Sequence, residues 1–63
     1  MDLLPRIERY LRRTRMKPAL FGRAAVNDPR FVFDLRLGRE PRIKTMRRVH
    51  AWLDAQGAEG SSR

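Results

Sequence analysis

The sequence predicts an all-α fold of four short helices joined by tight turns. Apolar residues recur at spacings of three and four, the period of one helix face, along residues 2–14, 32–35 and 43–55. Proline, glycine and asparagine separate these segments and favour turns. The most strand-like triplet, Phe31-Val32-Phe33, follows Asp-Pro and precedes helical spacing, so we interpret it as helix.

The first two helices are predicted by their apolar stripes. Helix one is expected from Asp2 to about Thr14, with Leu4, Ile7 and Leu11 inward. The other face of this helix carries four arginines: Arg6, Arg9, Arg12 and Arg13. After a turn at 15–17, helix two is expected from Pro18 to Val26, with these inward residues: Leu20, Phe21 and Ala25.

Two residues near the end of helix two indicate a tight connection to helix three. Gly22 lies inside the helix, where glycine costs about 1 kcal/mol relative to alanine, and such a glycine indicates close approach of a neighbouring helix. Asn27 tolerates the left-handed backbone that a tight turn requires.

Residues 28–37 predict a short third helix around which the chain is organised. Asp28 is expected to be its N-cap, Pro29 fits the first helical position, and Gly38 supplies a C-terminal stop. Val32 and Leu35 lie three apart and point inward. A helix this short is not stable alone in water, so we interpret it as a helix held by the others and presented to a partner.

Helix four is expected from about Ile43 to Ala55, after a loop at residues 39–42. Its apolar stripe is extended by one turn at Ile43 and otherwise consists of Met46, Val49, Trp52 and Leu53. Residues 1–55 are therefore predicted to be one domain, and the polar residues 56–63 a disordered tail. A chain of 63 residues supports one modest core. The predicted core is Leu4, Ile7, Leu11, Phe21, Ala25, Val32, Leu35, Met46, Val49 and Leu53.

The charge balance favours a polyanionic partner. Fifteen lysines and arginines against seven acids give a formal net charge of +8, and all but two of the fifteen are arginine. A folded domain this basic repels itself, and arginine suits bidentate contacts with phosphate and guanine. The alternative is that these arginines are ordinary solvated surface residues in an organism whose proteins are rich in arginine.

Other functional classes have little support in the sequence. Cysteine is absent, so neither disulfides nor thiolate metal sites are expected. We expect no signal peptide, membrane span, cofactor, metal or small-molecule ligand, and no enzyme activity. The single histidine, His50, is interpreted as a rim residue of helix four, and Trp52 as a core residue or an interface anchor.

The spacing of small and apolar residues resembles that of the lambda-repressor-like (XRE-type) helix-turn-helix family. The resemblance covers residues 16–53, although Val26-Asn27 replaces the Gly-Val usual in the turn. The positions that carry it are Gly22, Ala25, Val32, Leu35, Gly38, Pro41, Thr45, Met46, Val49 and Leu53.

The resemblance implies which side chains face DNA. In this family the start and outer face of the recognition helix enter the major groove. The implied base contacts are Pro29, Arg30, Phe33 and Asp34, with Leu37 further along. The implied phosphate contacts are Lys17, Arg23, Arg39, Arg42 and Lys44.

Individual roles for these residues follow from base chemistry. Arg30 is suited to guanine and Phe33 to a thymine methyl. Asp34 is suited to a cytosine amino group, or alternatively pairs with Arg30 as an ordinary helix charge. Phe31 is interpreted as core rim.

The resulting functional hypothesis is a sequence-specific regulator of double-stranded DNA, a repressor of the small type. It is expected in the cytoplasm with the nucleoid, as a weak dimer or as a monomer that pairs on DNA through Trp52 and helix four. Two alternatives stay open: an antitoxin-like or anti-repressor interaction module for protein or RNA, and a nonspecific nucleoid-type binder.

Overall fold

The computed structural model describes residues 3–57, and this part of the chain forms four α-helices and no strand. The all-α class and the order of helices are thus confirmed. Helices two and four have the predicted bounds, and helix one agrees to within a residue, since Met1 and Asp2 lie outside the described residues. The helices are α1 (Leu3–Thr14), α2 (Pro18–Val26), α3 (Phe31–Arg36) and α4 (Ile43–Ala55).

One apolar core receives side chains from all four helices. Five of these side chains have no exposed surface, namely Ile7, Phe21, Val32, Val49 and Leu53. Seven of the ten predicted core residues are buried, while three pack half-buried at its edge: Leu4, Leu35 and Met46. The core also includes three residues outside that prediction: Leu3, Tyr10 and Phe31.

Two residues expected on inner faces are exposed. Leu20 is 55% exposed because Phe21 and Ala25 fill the buried side of α2 and Leu20 lies about 100° round from Phe21. Ile43 is 67% exposed because it is the first residue of α4, and the buried stripe of that helix begins further along, at Val49.

Arg6 was expected on the solvent face of α1, and that expectation is wrong. Its side chain is only 14% exposed, and its guanidinium reaches α4, where it meets His50 Nδ1 at 2.6 Å and Asp54 Oδ1 at 2.5 Å. His50 is half-buried at the edge of α4, as predicted. These contacts join α1 to the C-terminal half of α4.

An aromatic cluster joins α1, α2 and α4. Trp52 lies edge-on to Phe21, with ring centroids 5.1 Å apart, and edge-on to Tyr10 at 5.6 Å. Offset and edge-to-face pairs of this kind stabilise a core beyond their buried area. Trp52 therefore serves the interior of the domain, one of the two roles expected for it.

The connection from α2 to α3 is tight. Asn27 ends α2 with a φ of 58°, the left-handed conformation expected there. A Cβ at Gly22 would collide with the Asp28 carbonyl oxygen and come within 3.3 Å of Phe31 Cβ. Gly22 is thus needed for close approach, but the approaching group is the backbone of the turn together with the start of α3.

Helix α3 is shorter than predicted, six residues rather than about nine. Asp28 makes the hydrogen bond expected of a cap, since its Oδ1 accepts from the Arg30 amide at 3.0 Å, but its carbonyl accepts from Phe31 N at 3.1 Å and the α-helix itself begins only at Phe31. Asp28 to Phe31 thus form a hydrogen-bonded turn, and Arg30 occupies the N-cap position without a side-chain cap. An Asp-Pro pair suits such a turn as well as it suits a helix start.

The end of α3 matches expectation. Gly38 has a φ of 94° and donates to the Leu35 carbonyl, while Arg39 N donates to the Asp34 carbonyl at 3.1 Å. This pair of bonds is a Schellman motif, which glycine accommodates without strain.

After α4, Gln56 and Gly57 form a turn on the last carbonyls of that helix, so they are not part of a structureless tail. Residues 58–63 of the predicted tail lie outside the described residues.

Candidate nucleic-acid interface

The exposed side of α3 presents one cation and two apolar side chains in a row. Arg30, Phe33 and Leu37 are three and four residues apart, so they share a helix face. Phe33 is 44% exposed and Leu37 is 84% exposed, while Arg30 is exposed at the start of the helix. Pro29 is also exposed, in the turn before the helix.

A depression lies beside this row, between the start and the end of α3. It brings together two predicted base contacts, Arg30 and Asp34, and one predicted phosphate contact, Arg39. Leu37 lines the same depression, whereas Pro29 and Phe33 do not. The depression combines two guanidiniums, two carboxylates and one large apolar side chain, since Asp28 also lines it.

Asp34 has a different partner from the one expected. Its Oδ2 accepts from Arg39 Nη1 at 3.3 Å, and no bond to Arg30 is present. The Schellman motif explains this choice, because it already holds the Arg39 backbone against Asp34. The guanidinium of Arg30 consequently makes no ion pair within residues 3–57 and is available to a ligand.

A salt bridge between α1 and α3 holds Arg36 beside the Phe33 ring. Arg36 lies with its guanidinium carbon 5.8 Å from the centre of the Phe33 ring, within range of a cation–π contact. Glu8 of α1 accepts two hydrogen bonds from Arg36, from Nε at 2.7 Å and from Nη2 at 2.8 Å. These bonds hold the pKa of the Glu8 carboxyl below its usual value and raise the pKa of the Arg36 guanidinium.

No local signal in the sequence indicates this arrangement. Glu8 and Arg36 are 28 residues apart, and nothing in the sequence around either residue indicates the other as its partner. Only the packing of α1 against α3 brings the two side chains together. Arg36 therefore positions the Phe33 ring, while its own guanidinium is largely committed to Glu8.

The predicted phosphate contacts fall into two groups. Arg39 and Arg42 line a second depression, which Thr45 and the end of α2 also border. The other three line neither depression and are simply exposed: Lys17 before α2, Arg23 within it, and Lys44 in the first turn of α4.

Other kinds of site are not evident in the part of the chain that the structure describes. Residues 3–57 contain no cluster of three metal-ligating side chains. None of their helices is long and apolar enough to cross a bilayer. No known family, curated protein or solved structure matches the chain.

Proposed function

We propose that this protein is a sequence-specific double-stranded DNA-binding regulator, built as a small lambda-repressor-like helix-turn-helix domain. In this proposal α2, the turn at 27–30 and α3 form the binding unit, and α3 enters the major groove. The observation that carries the proposal is the row of Arg30, Phe33 and Leu37 on a helix that the remaining core holds in place.

Each group of this row suits a particular feature of the groove. The unpaired guanidinium of Arg30 fits the two acceptors of guanine, O6 and N7. The half-exposed ring of Phe33 fits the thymine methyl group, the apolar feature of the major groove. A binder of phosphates alone has no use for such a ring, so Phe33 favours a sequence reader over a nonspecific nucleoid-type binder.

Contacts with the DNA backbone are assigned to the cations that surround the row. Arg39 borders both depressions next to α3, and Arg42 borders the second of them. With a formal net charge of +8, the domain gains affinity from release of counterions at such contacts. These contacts fix the orientation of the protein, and base contacts supply the selectivity.

Dimerisation belongs to the same proposal. Regulators of this architecture commonly bind two half-sites about one helical turn apart. The ring contacts of Trp52 with Phe21 and Tyr10 lie inside the domain, so a dimer contact at α4 has to use the part of Trp52 that remains exposed. Sedimentation with and without duplex tests this: a monomer that protects a single half-site contradicts pairing.

One observation favours the alternative of a protein-interaction module. Leu37 and Ile43 are 84% and 67% exposed, more than a domain this small needs to leave open. If the partner is a protein, these side chains are expected to be covered by it, and Ile43→Ser, at a position outside the row assigned to DNA, weakens that complex while leaving duplex binding unaltered.

The experiment that tests the proposal is selection of bound duplexes from a random pool. A reproducible motif, bound more tightly than random duplex and than RNA in competition, supports a sequence-specific regulator. Equal affinity for all duplexes supports the nucleoid-type alternative. Preference for RNA, or no nucleic-acid binding at all, supports the interaction module.

A further inference from the structure

A cationic surface outside the α3 region lies along the seam between α2 and α4. We propose that Arg48 binds a DNA phosphate there and that, with Arg23 and Arg42, it forms a backbone-binding track along this seam. The inference rests on the proposed function, which it extends from α3 to the side of the domain.

The two sides of α4 are distinguished by their contacts. On one side, Trp52 meets the Phe21 ring of α2 as well as the Tyr10 ring of α1, and Thr45 borders a depression together with Val26 of α2. On the other side, His50 and Asp54 bond to Arg6 of α1. Helix α4 thus has an α2 side and an α1 side, separated by the buried stripe of Val49 and Leu53.

Helical spacing assigns the two adjacent arginines of α4 to opposite sides. Arg48 follows Thr45 by three residues and precedes Trp52 by four, so it lies on the α2 side. Arg47 precedes His50 by three, so it lies on the α1 side. Both side chains are exposed, and neither makes an ion pair within the described residues.

Helices α2 and α4 run antiparallel where they meet. Phe21 is level with Trp52, and Val26 borders the same depression as Thr45 and Arg42. Arg23 lies one turn before Val26 on α2, just as Arg48 lies one turn after Thr45 on α4. Arg23 and Arg48 are therefore exposed cations within one turn of the depression that Arg42 borders, one on each helix.

Acidic side chains do not neutralise this part of the seam. Helix α2 contains no acidic residue, and Asp54, the single acid of α4, is bonded to Arg6 on the α1 side. Asp28 and Glu40 border the same depression as Arg42, so these acids lie at the Arg42 end of the track. Unpaired cations gathered on one seam repel each other, and a line of phosphates removes that repulsion.

The test compares Arg48→Gln with Arg47→Gln. The two substitutions remove the same charge from neighbouring exposed positions of one helix, so they differ only in the side of α4 that they affect. Binding to a random-sequence duplex is measured at several salt concentrations, because phosphate contacts do not depend on sequence. Arg48→Lys, which keeps the charge, separates loss of charge from loss of shape.

We expect Arg48→Gln to reduce the slope of log K against log salt by about one unit, with Arg48→Lys and Arg47→Gln close to wild type. Equal effects of the two glutamine variants, no effect of Arg48→Gln, or no duplex binding by the wild type would overturn the track. If Arg48→Gln reduces the salt slope but the wild type does not prefer a selected duplex, the track stands and the proposed sequence-specific function is overturned. Unchanged helical circular dichroism and thermal midpoints confirm that the variants fold.

Discussion

Glu8 of α1 and Arg36 of α3 form a two-pronged ion pair across the domain, with donor–acceptor distances of 2.7 and 2.8 Å. The pair ties the presented helix to the first helix of the chain. Because Arg36 also covers part of the Phe33 ring, the salt bridge connects the stability of α3 with the shape of its exposed face.

The first prediction concerns the pH dependence of stability. Arg36 lowers the pKa of Glu8 in the folded state, so the pair stabilises the fold above the unfolded pKa of a glutamate and loses this contribution as pH falls through the lower folded value. Wild type should lose stability as pH falls below about 4.5, and Glu8→Gln should lose less of it. The difference in free energy of unfolding between the two proteins should therefore be smaller at low pH than at pH 7. Both side chains reach solvent, so the difference at pH 7 is at most about 1 kcal/mol.

The control for this prediction is Glu40→Gln. Glu40 is exposed in the loop before α4 and makes no ion pair within residues 3–57. Urea unfolding between pH 3 and 7 should give Glu40→Gln the same pH profile as wild type. A Glu8→Gln profile parallel to that of the control would mean that the salt bridge contributes nothing in solution.

The second prediction concerns Phe33 and the thymine methyl. Replacing thymine by deoxyuracil in a selected duplex removes the C5-methyl group and should weaken binding of the wild type. Phe33→Ala should bind the two duplexes equally, because the ring that senses the methyl is absent. Leu20→Ala is the control, since Leu20 is a comparably exposed apolar side chain on α2, at 55%. If Phe33→Ala keeps the full uracil penalty, Phe33 does not contact a thymine.

The third prediction compares two leucines of opposite burial. Leu53 has no exposed surface and Leu37 is 84% exposed, so the same change to alanine has different consequences. Leu53→Ala should cost about 2–5 kcal/mol of the free energy of unfolding, which is most of what a domain this small has. Leu37→Ala should stay within about 0.5 kcal/mol of wild type. Thermal or urea unfolding measures both, and similar costs would contradict the core described above.

The fourth prediction concerns Gly22. In an exposed helix interior, glycine to alanine stabilises by about 1 kcal/mol. Here the new Cβ would meet the Asp28 carbonyl oxygen, which is backbone and cannot rotate away. Gly22→Ala should therefore destabilise the domain. This loss of stability, opposite to the gain in an exposed helix, would show that the α2–α3 turn packs directly against Gly22. An increased thermal midpoint would show that the α2–α3 turn relaxes easily and that Gly22 is not needed for close approach.

The sequence predicted α2 and α4 well because strong local signals mark their ends. Pro18 opens α2 and Asn27 closes it in a left-handed conformation, and Gly38 with Pro41 isolates the loop before α4. The start of α3 was predicted wrongly because Asp-Pro fits both a helix start and a turn. The choice between them depends on packing of Phe31 into the core, which local sequence does not encode.

The candidate site was predicted less completely than the fold. The resemblance placed Arg30 and Phe33 on the outer face of helix three, and both side chains are exposed there. Long-range partners were missed, because Glu8 with Arg36 and Arg6 with Asp54 depend on how α1 crosses the other helices. The pairing of Asp34 with Arg39 instead of Arg30 was also missed.

The division of labour between Arg30 and Arg42 tests the central proposal most directly. Arg30 lies at the start of the presented helix, and Arg42 lies at the N-cap of α4 beside the second depression. Arg30→Ala should cost about 1–3 kcal/mol on a selected duplex and little on a random duplex. Arg42→Ala should weaken both about equally and reduce the salt slope by about one unit.

The measurement is a set of binding curves for both variants on selected and random duplexes at several salt concentrations. A loss confined to the selected duplex for Arg30→Ala, together with a uniform loss for Arg42→Ala, is the result that the proposed function predicts. Parallel losses for the two variants on both duplexes would contradict it, because Arg30 would then contact only the DNA backbone, as Arg42 does.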